Sequence, residues 1–205
     1  NDYLHFLKRS MNYKKLFDTR TGMLRPKHAN GQWFSPYDPE LGRNFEPAPG
    51  YIEGNAWNYR FYVPHDIPGL ITLLGGEQEF VQQLDKTFTS DNFDMANEPD
   101  ISYPYLFNYV KGQEWRSQKK VTELILQHYH NTPGGIPGND DAGTLSAWLV
   151  FSMMGIYPVA PGDMNYAVVS PVFDKITIKL NKDYYAGKQL TFTTIKSDVR
   201  AQFIE

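Results

Sequence analysis

The stretch that decides the fold is residues 138–160, which read GNDDAGTLSAWLVFSMMGIYPVA. A glycine-bounded polar loop with two adjacent carboxylates, Asp140 and Asp141, leads into a mostly apolar run, 147–160. This run is shorter than the roughly twenty apolar residues that a membrane-spanning helix needs. It therefore predicts a buried helix that ends at a turn, within a helical body.

Apolar residues at helical spacing predict further helices on the N-terminal side of this stretch. With the buried helix, the predicted helices are 2–17, 67–74, 77–89, 103–110, 115–130 and 142–154. After Pro161 the pattern becomes alternating and β-branched, which is typical of strands. The predicted strands are Tyr166–Val169, Lys175–Leu180, Leu190–Ile195 and Ala201–Ile204. We expect a mainly α fold, with a helical region at 1–161 and a C-terminal β-strand segment at 162–205.

Composition excludes several classes of function. The 205 residues carry 20 Lys and Arg against 23 Asp and Glu, for a net charge of −3. This balance argues against a protein that binds a nucleic-acid backbone, which needs a basic face. The chain has no Cys, so it can have no disulfide, no thiolate metal site and no Cys nucleophile.

The first candidate site lies at the end of a Gly- and Pro-rich stretch, 18–54. Glu53 is near the end of this stretch and is followed by a run of four aromatic residues, and an apolar wall would raise the pKa of its carboxyl group as a general acid requires. Two structural roles compete with this one. Glu53 could cap a helix or pair with Arg60, and the nearby His65 could form a hydrogen bond at a helix start.

Two further polar loops carry oxygen ligands and carboxylates. Asn97 and Glu98 suit a hard cation such as Ca²⁺, although they could equally form a turn before the next helix. One Asp of the pair Asp140 and Asp141 is enough to cap the helix that follows. The other is then available for chemistry, and separated carboxyl groups beside aromatic residues are typical of glycoside hydrolysis.

Five segments, taken together and in this order, resemble glycoside hydrolase family 92, a family of calcium-dependent, exo-acting α-mannosidases. The segments are YIEGNAWNY (51–59), VPHD (63–66), NEP (97–99), GNDDAG (138–143) and SAWLVFSMMGIYPV (146–159). Residues 170–178 also look like the strand that follows the barrel in this family. The resemblance spans essentially the whole chain.

The resemblance implies a fold and a reaction. Family members have an N-terminal β-sandwich and an (α/α)6 barrel, so this chain would be the C-terminal portion of the barrel followed by a short antiparallel β segment. They invert the anomeric centre. Glu53 matches the general acid and Asp141 the general base, which Asn139 or Asp140 would assist.

The resemblance also implies the ligands of the site. Asn97, Glu98 and Asp141 would hold Ca²⁺, which binds mannose hydroxyls. We further expect substrate contacts from Trp57, His65, Asp66 and Asp94. The implied partners are a mannose-containing glycan and the remaining N-terminal part of the enzyme, with no nucleic acid and no membrane span. The family is mostly periplasmic or secreted.

This sequence departs from the family in three ways. Residues 100–102 read Asp-Ile-Ser where many members have Ser-His-His, which affects the leaving-group contacts. Residues 139–141 read Asn-Asp-Asp where other members have Asp-Glu-Asp. Members are also several times longer, so we expect a fragment that exposes packing faces and lacks activity alone. The alternatives are a non-catalytic carbohydrate-binding module and another (α/α)6 glycosidase, trehalase-like or glucoamylase-like.

Overall fold

The computed structural model describes residues 1–43 and 46–195, and this part of the chain is mainly helical. The α-helices are α1 (Asp2–Ser10), α2 (Ala56–Tyr59), α3 (Ile67–Leu73), α4 (Glu77–Thr89), α5 (Glu114–His128) and α6 (Thr144–Met154). Among the described residues, the segments Met11–Leu16 and Asp100–Tyr109 form 3₁₀ helices. None of the helices in the described residues is long and apolar enough to span a membrane.

The strands form antiparallel pairs. They are β1 (Phe17–Asp18), β2 (Met23–Leu24), β3 (Ile156–Tyr157), β4 (Ala167–Val168), β5 (Lys175–Lys179) and β6 (Gln189–Thr193). β1 pairs with β2, β3 with β4, and β5 with β6. In the longest pair, Ile176 lies opposite Phe192. The predicted strand Ala201–Ile204 lies outside the described residues, and the division of the chain at 161 stays a prediction.

Helices with clear start and stop signals are confirmed. α4 has the bounds that the sequence predicts, and Asp66 caps α3 by accepting a hydrogen bond from the Gly69 amide at 3.0 Å. The predicted helix 2–17 is wrong in its extent, because α1 ends at Ser10 and continues as a 3₁₀ helix. The short helix α2 and the pair β1–β2 were not predicted, since two to four residues are too few to show a periodic pattern.

The centre of the core is the aromatic 3₁₀ helix Asp100–Tyr109. Its first eight residues are all buried, and it packs against α3, α5 and β4. Trp148 of α6 donates a hydrogen bond from Nε1 to the carbonyl of Ile101 at 2.8 Å and stacks on Tyr129 with ring centroids 5.5 Å apart. This packing fixes the start of α6, and with it the loop that carries the adjacent carboxylates.

Large apolar faces remain exposed, as expected for part of a larger fold. α1 has no buried residue, and the exposed fractions of Tyr3 and Phe6 are 69% and 61%. The predicted buried helix 142–154 is observed as α6 but is only partly buried, because Val150 is 56% exposed. α6 buries only Leu145, Trp148 and Ser152. Several other α6 residues are half-buried, and Leu149 packs against the core, whereas Ser146, Ala147 and Val150 are exposed.

We expect Asp18→Ala to destabilise the protein by about 3 kcal/mol, because it leaves the buried Arg25 guanidinium without its carboxylate partner. Asp18 is buried and accepts a hydrogen bond from Arg25 at 2.9 Å. Burial alone would raise the pKa of Asp18, but hydrogen bonds from the Arg20 amide and the Arg25 guanidinium lower it below the usual value. A lowered pKa means that the stabilisation is present above the unfolded pKa of about 3.9 and is lost as the pH falls through the folded pKa.

Urea unfolding followed by tryptophan fluorescence measures this difference at pH 7 and again at pH 3. The control is Glu123→Gln, which removes exposed ion pairs with Lys119 and Lys120 and should change stability by less than about 1 kcal/mol. An equal loss of unfolding free energy in Asp18→Ala and Glu123→Gln at pH 7 would contradict the prediction.

Candidate active site

Three polar loops lie together on one side of the helical body. We name them loop A (51–55), loop B (90–99) and loop C (131–143). Asn97 of loop B donates a hydrogen bond from Nδ2 to the backbone carbonyl of Glu53 in loop A at 2.8 Å. A Cβ placed on Gly138 of loop C would lie 2.7 Å from the Cβ of Ala96 in loop B. Loop B is therefore in contact with both of the other loops.

A cavity of about 370 Å³ opens between loops A and B. Most of the residues around it are polar. They are Gly42, Arg43, Glu53, Gly54, Asn55, Asn58, Asp91, Asn92, Phe93, Asp94 and Asn97. The cavity thus brings together three residues that the sequence predicts for the site, namely Glu53, Asp94 and Asn97. Its size and polarity suit a small polar ligand.

Backbone strain coincides with the two predicted catalytic residues. Among the described residues, the non-glycine positions with positive φ are Glu53 (51°), Asp141 (43°) and Ala142 (60°). Residues that have a Cβ rarely adopt this left-handed backbone conformation, and such strain is often found at functional sites. The strain supports a functional role for Glu53 and Asp141 that is independent of sequence pattern.

Neither structural role proposed for Glu53 is observed. Asn55, not Glu53, caps α2, by accepting hydrogen bonds from the amides of Trp57 and Asn58. Arg60 bonds to the Gln83 side chain and lies 5.2 Å from the Trp57 ring, so it does not pair with Glu53. The Glu53 carboxylate therefore accepts no hydrogen bond from the described residues.

The expected aromatic enclosure of Glu53 is not present in the described chain. Glu53 is exposed, Phe61 is buried in the core instead, and the Nε1 of Trp57 donates to Glu40 at 2.8 Å. Among the aromatic residues, Tyr59 has a hydroxyl group that interacts electrostatically with Glu53. Burial raises the pKa of its hydroxyl, and the charges of Glu53 and Glu98 add to the rise. Glu53 of loop A and Glu98 of loop B thus share one neighbourhood.

Loop C separates the roles of its two carboxylates. Asp140 accepts hydrogen bonds from the amide and the hydroxyl of Ser146, each at 2.8 Å, and these bonds lower its pKa. Asp140 therefore stabilises the start of α6. Asp141 is exposed, and no hydrogen bond from the residues that the structure describes reaches its carboxylate. Its carboxylate is the one left available for chemistry.

Three of the predicted substrate contacts do not line the cavity. Asp66 caps α3 and accepts a hydrogen bond from the Tyr13 hydroxyl at 2.7 Å. The Nε2 of His65 lies 2.9 Å from the carbonyl oxygen of Ser10, as expected for a structural histidine. Trp57 is half-buried against Glu40 and Arg60. These residues tie the N-terminal segment and residues 40–60 to the helical body, and their contact with substrate stays a prediction.

The metal ligands expected from the sequence are only partly assembled. Within residues 1–43 and 46–195, no three His, Asp or Glu side chains are close enough to hold a metal ion. Asn97 is buried, and because its Nδ2 is used on Glu53, its Oδ1 is the atom left to act as a ligand. Glu98 and Asp141 are exposed. The oxygen chemistry of the three residues fits Ca²⁺, but they are too few for its six to eight ligands.

Sequence reasoning did not identify Asn55, Asn58 and Arg43 around the cavity. Asn55 and Asn58 have the spacing of a capping box, which is a signal the sequence does contain. Arg43, which donates to the Asn92 side chain at 2.9 Å, lies in an irregular segment with no local pattern. Only the tertiary structure could place it.

A polar cavity with exposed carboxylates on neighbouring loops is compatible with glycoside hydrolysis, which uses a pair of carboxyl groups. Comparison with known proteins agrees. The sequence profile of the glycosyl hydrolase family 92 catalytic domain matches residues 1–205. The chain therefore belongs to glycosyl hydrolase family 92.

Individual relatives give the same result. The chain is 33% identical to an uncharacterized secreted glycosidase of Arthroderma benhamiae, covering 94% of this chain and 27% of that protein. It superposes on the family GH92 alpha-mannosidase BT3965 of Bacteroides thetaiotaomicron with a TM-score of 0.82 at 34% identity, covering 94% of this chain and 25% of that one. The inverting mannosidase BT2199 of the same organism gives 0.79 at 28% identity, with 92% and 28% covered. The chain spans about a quarter of the length of these relatives.

Proposed function

We propose that this chain carries the catalytic loops of an inverting, exo-acting α-mannosidase, on the C-terminal portion of an (α/α)6 barrel. The observation that carries the proposal is the convergence of loops A, B and C. The carboxylates of Glu53 and Asp141 accept no hydrogen bond from the described residues and lie on strained backbone, while the neighbouring Asn58, Asn97 and Asp140 side chains are used in structural contacts. The α-mannosidases among the structural relatives support the choice of substrate.

Each residue has a defined task in this reaction. Glu53, protonated, gives its proton to the glycosidic oxygen as the bond to the leaving group breaks. Asp141, ionised, takes a proton from the water that attacks the anomeric carbon from the opposite face. An inverting enzyme keeps these two carboxyl groups far enough apart to leave room for that water. Loops A and C supply them from separate parts of the chain, with loop B between.

The test is the configuration of the first sugar released. Proton NMR during hydrolysis of an aryl α-mannoside by the full-length protein should show β-mannose before mutarotation produces the α anomer. An initial α-mannose signal would overturn the inverting mechanism. An aryl α-glucoside serves as the matched substrate, and faster hydrolysis of the glucoside would overturn the assignment to α-mannosides.

We also propose that the site uses Ca²⁺, with Asn97, Glu98 and Asp141 as protein ligands. A bound cation would supply contacts to sugar hydroxyls that favour a distorted ring. Because the chain provides few ligands, substrate oxygens, water or residues elsewhere in the protein would complete the shell. Incubation with EDTA should lower the activity by at least about tenfold, since loss of the groups that merely orient metal ligands commonly costs about 10- to 100-fold.

Calcium added back in excess should restore the activity, whereas Mg²⁺ should not, because it demands smaller octahedral geometry. Full activity after exhaustive chelation would refute the calcium proposal without affecting the roles of Glu53 and Asp141. This assay also separates the proposal from a trehalase-like or glucoamylase-like enzyme, which we expect chelation to spare.

The biological setting follows from the same relatives. A mannose-containing glycan, including an N-glycan, is the proposed substrate, and a periplasmic or secreted location is proposed from the secreted relative. The remaining N-terminal part of the enzyme is the proposed partner of the exposed faces of α1 and α6. Because Asp141 of loop C does not line the cavity that Glu53 lines, and the chain spans about a quarter of the length of its relatives, we expect the isolated 205-residue chain to be inactive on an aryl α-mannoside.

A further inference from the structure

Asp100 is a buried carboxyl group that the proposed mechanism does not use. It begins the aromatic 3₁₀ helix and has an exposed fraction of 0%. Its Oδ2 accepts one hydrogen bond from the Nδ2 of Asn58 at 2.9 Å and another from the backbone amide of Asp94 at 2.8 Å. Its Oδ1 is buried and has no hydrogen-bond partner among the described residues. A buried carboxyl that is only half satisfied is costly, so its presence calls for a reason.

The first donor leads to loop A. Asn58 uses its Nδ2 on Asp100 and its Oδ1 to accept the Asn55 amide at 3.0 Å. This bond is one half of the capping box that starts α2, two residues after Glu53. The orientation of the Asn58 amide therefore decides where the strained peptide of Glu53 lies.

The second donor leads to loop B. The Asp94 amide donates to Asp100, while the Oδ1 of Asp94 accepts from the Ala96 amide at 2.8 Å. The Asp100 amide donates to the carbonyl of Asn97 at 3.0 Å, and Asn97 in turn donates to the carbonyl of Glu53. One path of hydrogen bonds thus runs from Asp100 through Asn58 to Asn55 in loop A. A second path runs from Asp100 through Asn97 in loop B to the carbonyl of Glu53, so the two paths meet in loop A.

We propose that Asp100 is a positioning residue that holds loops A and B in register, so that Glu53, Asn97 and Glu98 face the same sugar. This inference rests on the proposed function. Asp100 is buried beneath the loops and does not touch substrate. Its Oδ2 is the acceptor shared by the side-chain amide of Asn58, which leads to loop A, and the backbone amide of Asp94 in loop B. Removing that oxygen should let the two loops move independently.

The test compares Asp100→Ala with Asp100→Asn in the full-length protein. Alanine removes the shared acceptor, and we expect kcat on an aryl α-mannoside to fall by about 100-fold, the size typical of a small misplacement of catalytic groups. KM should change much less, because the acid acts in the transition state. Asparagine keeps an oxygen at the same place and should restore most of the lost kcat.

A matched control separates positioning from lost stability. Leu84→Ala removes a fully buried side chain of α4 that does not line the cavity. It should lower the melting temperature as Asp100→Ala does, yet leave kcat close to that of the unmodified protein. Equal kcat values for Leu84→Ala and Asp100→Ala would overturn the proposal. An asparagine variant as impaired as the alanine variant would overturn it too.

Hydrogen exchange provides a readout that does not need activity. The amides of Asn55 and Asp94 should exchange faster in Asp100→Ala than in Leu84→Ala, because both lose their ordered acceptors. Unchanged exchange at both amides would overturn the role of Asp100. If the unmodified protein does not cleave α-mannosides, the proposed function fails, and hydrogen exchange alone then decides whether Asp100 holds the loops together.

Discussion

Replacing Glu53 with glutamine should lower kcat on an unactivated mannobiose by about 10²- to 10⁴-fold, the range that general acid catalysis supplies. Glutamine keeps the shape of the side chain and the strained backbone but cannot give up a proton. The loss should be much smaller on a dinitrophenyl α-mannoside, because that leaving group departs without protonation. The measurement is the ratio of the two kcat values in the variant and in the unmodified protein.

The control for this experiment is Glu77→Gln, which makes the same chemical change in the exposed first turn of α4. It should leave both rates unchanged. An equal loss on both substrates in Glu53→Gln would contradict the role of general acid. Glu53 would then act by binding or by holding loop A.

Replacing Asp141 with asparagine should lower kcat on both substrates alike, by about 10²- to 10⁴-fold. The water must lose a proton whatever the leaving group is, so an activated leaving group cannot compensate. Asp163→Asn, in an exposed turn, is the matched control. A much smaller loss of kcat on the dinitrophenyl α-mannoside than on mannobiose would contradict the role of general base.

Asp140→Asn distinguishes the two adjacent carboxylates. Asp140 holds the start of α6 through Ser146, so this variant should lower thermal stability more than Asp141→Asn does. If Asp140→Asn loses as much kcat as Asp141→Asn while keeping its melting temperature, Asp140 assists the base directly.

Local signals predicted much of the secondary structure. Asp66 before Ile67-Pro68 marked the start of α3, the glycine pair Gly75-Gly76 marked its end, and apolar spacing marked α4, because caps and periodicity act within a few residues. The family was also predicted from five short segments and is confirmed. The extent of the first helix was predicted wrongly and the burial of α6 only in part correctly, since both depend on what packs against them.

The sequence by itself determined the family, most of the longer helices, and the loops that carry Glu53, Asn97, Glu98 and Asp141. Only the tertiary structure decided that Asp140 serves the helix while Asp141 stays uncommitted, that Glu53 is exposed, and that Asp100 links loops A and B. Residues 53, 97 and 138 are far apart in the chain, and their contacts arise from the packing of the aromatic 3₁₀ helix against its neighbours. Contacts of that kind depend on the whole core, and no pattern within a short window records them.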